Sequence, residues 1–108
     1  MLFIDDLMDA FDKAWKNIAA TAGRVYNIGG GPKNQLSLLE LVRFLENEYG
    51  HKIELDFAEW RPGDQPVFCC DISRAKKEFG WEPRVGFSEG VKNLARWIRD
   101  NRDLFIVR

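Results

Sequence analysis

Apolar residues at Ile4, Leu7, Met8, Phe11, Ala14, Trp15 and Ile18 recur at helical spacing and predict a first amphipathic helix. Asp5 or Asp6 is placed to cap its start, Asp9 complements the first-turn dipole, and Gly23 is a natural stop. Arg24-Val25-Tyr26-Asn27-Ile28 is β-branched and aromatic and runs into Gly29-Gly30-Gly31-Pro32, so a strand leading to a loop is expected. Ser37-Leu38-Leu39-Glu40 forms a capping box, with Leu36 and Leu41 flanking it as a hydrophobic staple. The helix it opens carries Leu38, Leu41, Val42, Leu45 and Tyr49 on one face and ends at Gly50. Ile53, Leu55 and Phe57 then alternate with charged residues, the period of a strand with one buried face. Strand, helix and strand make a βαβ unit, with parallel strands and a right-handed crossover.

Val67-Phe68-Cys69-Cys70 predicts another short strand, and Asp71 or Ser73 caps a short helix through Lys76, Lys77 and Phe79 that Gly80 closes. Trp81-Glu82-Pro83 is a rigid extended link, because a residue before proline is pushed out of the helical region. A last helix spans about Ser88 to Asp100, with Phe87, Val91, Leu94, Ala95 and Ile98 on one face. The Leu104–Val107 tail is apolar and takes no role in this scheme. The expected fold class is α/β: a small, mostly parallel sheet of two or three strands with about four helices around it.

A chain of 108 residues supports one domain at most, and an apolar share of 45% with four Trp and eight Phe demands a packed core. Lys and Arg nearly balance Asp and Glu, leaving a net charge of −1. That gives no electrostatic footprint for nucleic acid or for an anionic membrane. No apolar run approaches the roughly 18–20 residues of a membrane span, and the first residues lack the basic start and apolar stretch of a secretory signal. A cytoplasmic protein is expected. The adjacent Cys69 and Cys70 could bridge only through a strained ring, and with the lone His51 remote they form no metal set. Apolar filling on a strand is their simplest role.

Trp60-Arg61-Pro62-Gly63-Asp64-Gln65 carries the most chemistry. Pro62 presets φ near −65° and Gly63 supplies a positive φ, the signature of a type II turn. The turn fixes where Arg61 and Asp64 point. Arg61 offers a planar donor fork suited to phosphate oxygens, and Asp64 can accept from sugar hydroxyls. The plainer alternative is a surface turn with an exposed ion pair.

The glycine run suggests a dinucleotide fingerprint, but its third glycine would fall at position 34, which is Asn34. A loop between strand and helix is the better account. Helix capping explains Asp5-Asp6 without a metal, and His51 follows a helix-ending glycine as a solvated loop residue. Tyr26 and Tyr49 have Gly30 and Ile53, not lysine, four residues on.

Several blocks in order resemble the C-terminal part of an extended short-chain dehydrogenase/reductase, the NAD-dependent nucleotide-sugar epimerase/dehydratase family. They are Phe3-Ile4-Asp5-Asp6-Leu7 through Ala10, Val25-Tyr26-Asn27-Ile28-Gly29-Gly30, the capped Ser37–Leu41 segment, and Arg61-Pro62-Gly63-Asp64. Asp71-Ile72 with Ala75-Lys76, Phe79-Gly80-Trp81-Glu82-Pro83 and Glu89-Gly90-Val91 complete the set. Asn27–Asn34 and Trp60–Gln65 look like the CDP-paratose 2-epimerase (CDP-tyvelose epimerase) subfamily.

The resemblance implies that residues 1–108 are a single substrate-binding portion of a larger enzyme, an isomerase that oxidises a sugar hydroxyl transiently with NAD. By match to the family motif, Arg61 binds the diphosphate of a nucleotide-sugar, here a CDP-sugar, and Asp64 contacts the ribose. Phe79–Pro83 is implied to be a packing element. The family's Gly-rich NAD fingerprint, its Tyr-x-x-x-Lys pair and its second basic diphosphate contact have no counterpart in these residues. Cys69-Cys70 replaces a more polar strand. No catalytic residue and no cofactor site is therefore assigned to the chain, and its expected partner is the missing dinucleotide-binding domain. An excised domain, a truncated gene product and one piece of a split enzyme all fit. A non-catalytic interaction module that kept the scaffold is the rival expectation.

Overall fold

A computed structural model describes residues 1–105; Ile106 and Val107 of the apolar tail lie outside them. The α-helices are α1 (Ile4–Lys16), α2 (Ile18–Thr21), α3 (Leu38–Tyr49), α4 (Ser73–Phe79) and α5 (Phe87–Asp100), with short 3-10 turns at Pro32–Asn34 and Arg102–Phe105.

Among the described residues there is no strand, which corrects the expected α/β sheet and its βαβ unit. In two of the three predicted strand segments a backbone group bonds to a side chain. The Val25 carbonyl accepts from Arg74 Nη1 at 3.0 Å, and the Ile53 N–H donates to Glu46 Oε1 at 3.0 Å. Residues 51–69 are all exposed, and the predicted inward face of Ile53, Leu55 and Phe57 is 39, 42 and 80% exposed. Alternation marks which side of a strand would be buried; it supplies no partner for the ladder.

The core is correspondingly small. Ala10, Ala75, Phe79 and Trp81 are buried, with Leu2, Ala14, Tyr26, Ile28 and Ile72 packed around them. Ala10 of α1 and Ala75 and Phe79 of α4 thus share one cluster with Trp81, which is fully enclosed. The radius of gyration is 17.2 Å, against about 13 Å for a compact domain of this length, so much of the chain lies outside that core.

Local signals mostly held. Ser37 Oγ accepts the Glu40 N–H at 3.2 Å while a Glu40 carboxylate oxygen takes the Ser37 N–H at 2.8 Å, the reciprocal capping box. Gly50 and Gly80 end α3 and α4 in the left-handed conformation, at φ 69° each. α1 breaks earlier than expected, at Asn17, whose side-chain amide donates to the Lys13 carbonyl at 2.8 Å. Neither Asp5 nor Asp6 caps it; Phe3 occupies the cap position with no side-chain bond.

Candidate functional site

The Arg61–Asp64 turn has the predicted backbone. The Asp64 N–H donates to the Arg61 carbonyl at 3.1 Å, and Gly63 sits at φ 87°. Asp64 Oδ2 accepts from Arg61 Nε at 3.3 Å. The two side chains are 86 and 42% exposed, and Trp60 beside them is 70% exposed. The ion pair uses Nε alone. Among the described residues the two terminal guanidinium nitrogens have no partner, so the outer edge of the fork stays open to a bidentate anion.

Asp6 is a structural carboxylate that local pattern reading misplaced. It is 4% exposed, and its two oxygens accept the Arg84 N–H at 3.0 Å and the Val85 N–H at 2.9 Å. Its backbone carbonyl takes the Trp81 indole N–H at 2.9 Å. One residue of α1 therefore anchors the whole Trp81–Val85 link, and the bonds that reveal it span more than seventy residues of sequence. No local signal encodes them.

A second network fixes α4 against the 24–28 segment. Tyr26 Oη donates to Glu78 Oε2 at 2.5 Å, and Arg74 Nε donates to Glu78 Oε1 at 3.0 Å. Tyr26 meets Phe79 edge-on at 5.0 Å and has the Arg74 guanidinium over its ring at 5.1 Å. The Tyr26 hydroxyl and then Arg74 hold the Glu78 carboxyl below its ordinary value, and the same hydrogen bond raises Tyr26.

The glycine loop does not fit a dinucleotide. A Cβ on Gly30 would lie 1.8 Å from the Met1 carbonyl oxygen, and one on Gly31 would lie 2.9 Å from Ile72 Cδ1. The space that glycines free for a pyrophosphate in a fingerprint loop is filled here by the chain itself. Gly29 likewise faces Cys70, whose Cβ would sit 2.6 Å from an added methyl. Cys70 is thus half-buried filling, though not on a strand, while Cys69 and His51 are exposed. Among the described residues no three metal-ligating side chains converge, and no helix is long and apolar enough to cross a membrane.

The GDP-mannose 4,6 dehydratase family matches residues 2–94. The chain belongs to this family. It is 35% identical over 74% of its length to UDP-glucuronate 4-epimerase of Thermodesulfobacterium geofontis, covering 24% of that protein. It is 32% identical over 90% to CDP-paratose 2-epimerase of Salmonella typhi, and 33% over 93% to UDP-glucose 4-epimerase of Bacillus subtilis, covering 29% of each. The chain thus spans less than a third of the length of these relatives. Family membership bears out the resemblance to the epimerase/dehydratase branch of the extended short-chain dehydrogenase/reductases. It does not single out the CDP-paratose subfamily, because UDP-sugar epimerases match as well.

Proposed function

We propose that this chain is the nucleotide-sugar-holding portion of an NAD-dependent epimerase or dehydratase, a C-terminal unit without catalytic residues of its own. The observation that carries the proposal is the 61–64 turn. Its backbone is closed, Asp64 steadies Arg61 through Nε, and the terminal nitrogens face solvent. Arg61 would bind the diphosphate through that open edge, and Asp64 Oδ1 would accept from a ribose hydroxyl. In the intact enzyme NAD supplies the transient oxidation of the sugar; the glycine loop here gives it no seat.

The remainder of the fold would cover the apolar surface left open. Ile4, Met8, Phe11, Trp15 and Ile18 are each more than half exposed and repeat at 4, 3, 4 and 3 residues along α1 and α2. Ile4 also lines an apolar groove of about 490 Å³ with Phe3, Leu41, Leu45, Leu94 and Ile98. This continuous face suits a packed partner such as the dinucleotide-binding domain. The unpaired thiols of Cys69 and Cys70 suit a reducing, cytoplasmic setting.

Amide NMR of the chain titrated with CDP, UDP and dTDP, read at residues 60–65, tests the site. Weak diphosphate binding that disappears in Arg61→Ala and is only reduced in Arg61→Lys is expected, because lysine keeps the charge and loses the fork. A preference for CDP would assign the base. No shift at these residues with any of the three, or shifts there indifferent to Arg61→Ala, overturns the proposal and leaves the interaction module standing.

A further inference from the structure

A second cleft, of about 690 Å³, opens between the glycine loop, the start of α4 and the Glu82–Gly86 link, and no residue of the 61–64 turn lines it. Lys33, Lys76 and Arg84 stand in its walls against Asp71 and Glu82. The charges are not equally committed. Lys76 Nζ donates to Glu82 Oε2 at 2.6 Å, and Asp71 Oδ1 is occupied by the Ser73 N–H at 2.9 Å. Lys33 and Arg84 are exposed and, among the described residues, have no ion-pair partner.

Both uncommitted cations rise from anchored backbone. Arg84 donates its N–H to buried Asp6. Lys33 follows the two glycines wedged against Met1 and Ile72, and it precedes Asn34, which is 8% exposed. The Asn34 carbonyl accepts the Met1 ammonium at 2.6 Å, while its side-chain amide reaches the Val85 carbonyl at 3.5 Å. The Asn34 side chain therefore ties the glycine-loop wall to the Glu82–Gly86 wall. Glu82 feels Lys76 first, then Lys33 and Arg84, all three lowering its carboxyl pKa.

We propose that this cleft is an anion site for a phosphoryl dianion, held by Lys33 and Arg84 and tuned by the Lys76–Glu82 pair. Two cations on walls bonded together suit a doubly charged, multi-acceptor ligand, and the Ser73 hydroxyl can add a neutral donor at its edge. The site stands apart from the 61–64 turn and does not depend on the function proposed for that turn.

Amide NMR of the full chain, titrated with inorganic phosphate at fixed ionic strength, tests it. Saturable shifts are expected at residues 30–34, 73 and 82–86, with 61–64 unmoved. Removing either cation, in Lys33→Gln or Arg84→Gln, should weaken binding at least about fivefold, the value of one pair of unit charges at about 4 Å in water. Glu82→Gln frees Lys76 and removes a facing carboxylate, so it should tighten binding by a similar factor. Arg61→Ala should leave the titration unchanged. Cytidine monophosphate moving the same amides supports the site and assigns it phosphate esters; inorganic phosphate alone doing so supports it and assigns free phosphate. Non-saturating shifts, loss on Arg61→Ala, or indifference to both glutamine variants of the cations would overturn it.

Discussion

The link Trp81–Val85 and the segment 51–69 are both irregular chain, yet one is firmly anchored and the other lies exposed. Trp81 is wholly buried, its indole bonded to Asp6 and the backbone after it held by the Asp6 carboxylate. Residues 51–69 expose every side chain, among them Phe57, Trp60 and Phe68. The difference teaches that irregular backbone is secured by a buried side chain that satisfies its donors. Where none is available, apolar content alone orders nothing. Stability and the candidate substrate chemistry accordingly sit in different regions.

Substitutions should separate the two regions sharply. Trp81→Ala removes the largest enclosed side chain and should lower unfolding free energy by about 3–5 kcal/mol in urea melts. If Phe57→Ala, expected to cost under about 0.5 kcal/mol, proved equally damaging, the contrast would fail. Asp6→Ala strands the Arg84 and Val85 donors and should cost about 1–3 kcal/mol, with hydrogen exchange quickening first at those two amides. Ser37→Ala, at the start of a helix with no buried residue, should cost about 1 kcal/mol.

A smaller effect separates the regions by pH. Glu78 has its folded pKa below the ordinary 4.5, held there by Tyr26 and then Arg74. Its contribution is therefore complete above about pH 4.5 and is lost as pH falls through the lower folded value. Glu78→Gln should flatten the stability curve on that acid limb and leave it parallel above, as thermal melts from pH 3 to 7 would show. Smallest of all, Arg61→Ala should change stability by less than about 0.5 kcal/mol while it abolishes diphosphate binding at the 61–64 turn. A large loss of stability would instead make the turn a structural element.

Much of the local structure was legible because its causes are local. The Ser37–Glu40 capping box, the glycines that end α3 and α4, and the Pro62-Gly63 turn each depend on residues within a few positions. Trp81 was also legible as packing, through the Phe79–Pro83 block. The sheet was misread because β alternation at 53–57 describes a face and names no partner strand. Asp6 was misread because a carboxylate at a helix start looks like a cap, whereas this one turns inward to donors 78 and 79 residues away.

The sequence by itself determined helices, turns and family membership, since periodicity, capping chemistry and ordered motifs are properties of neighbouring residues. Only the tertiary structure decided that no strands pair among the described residues, that Asp6 secures the Trp81–Val85 link, and that Lys33 and Arg84 share a cleft. Those outcomes depend on which distant groups satisfy a donor or bury a ring, and that competition is settled only when the chain closes on itself.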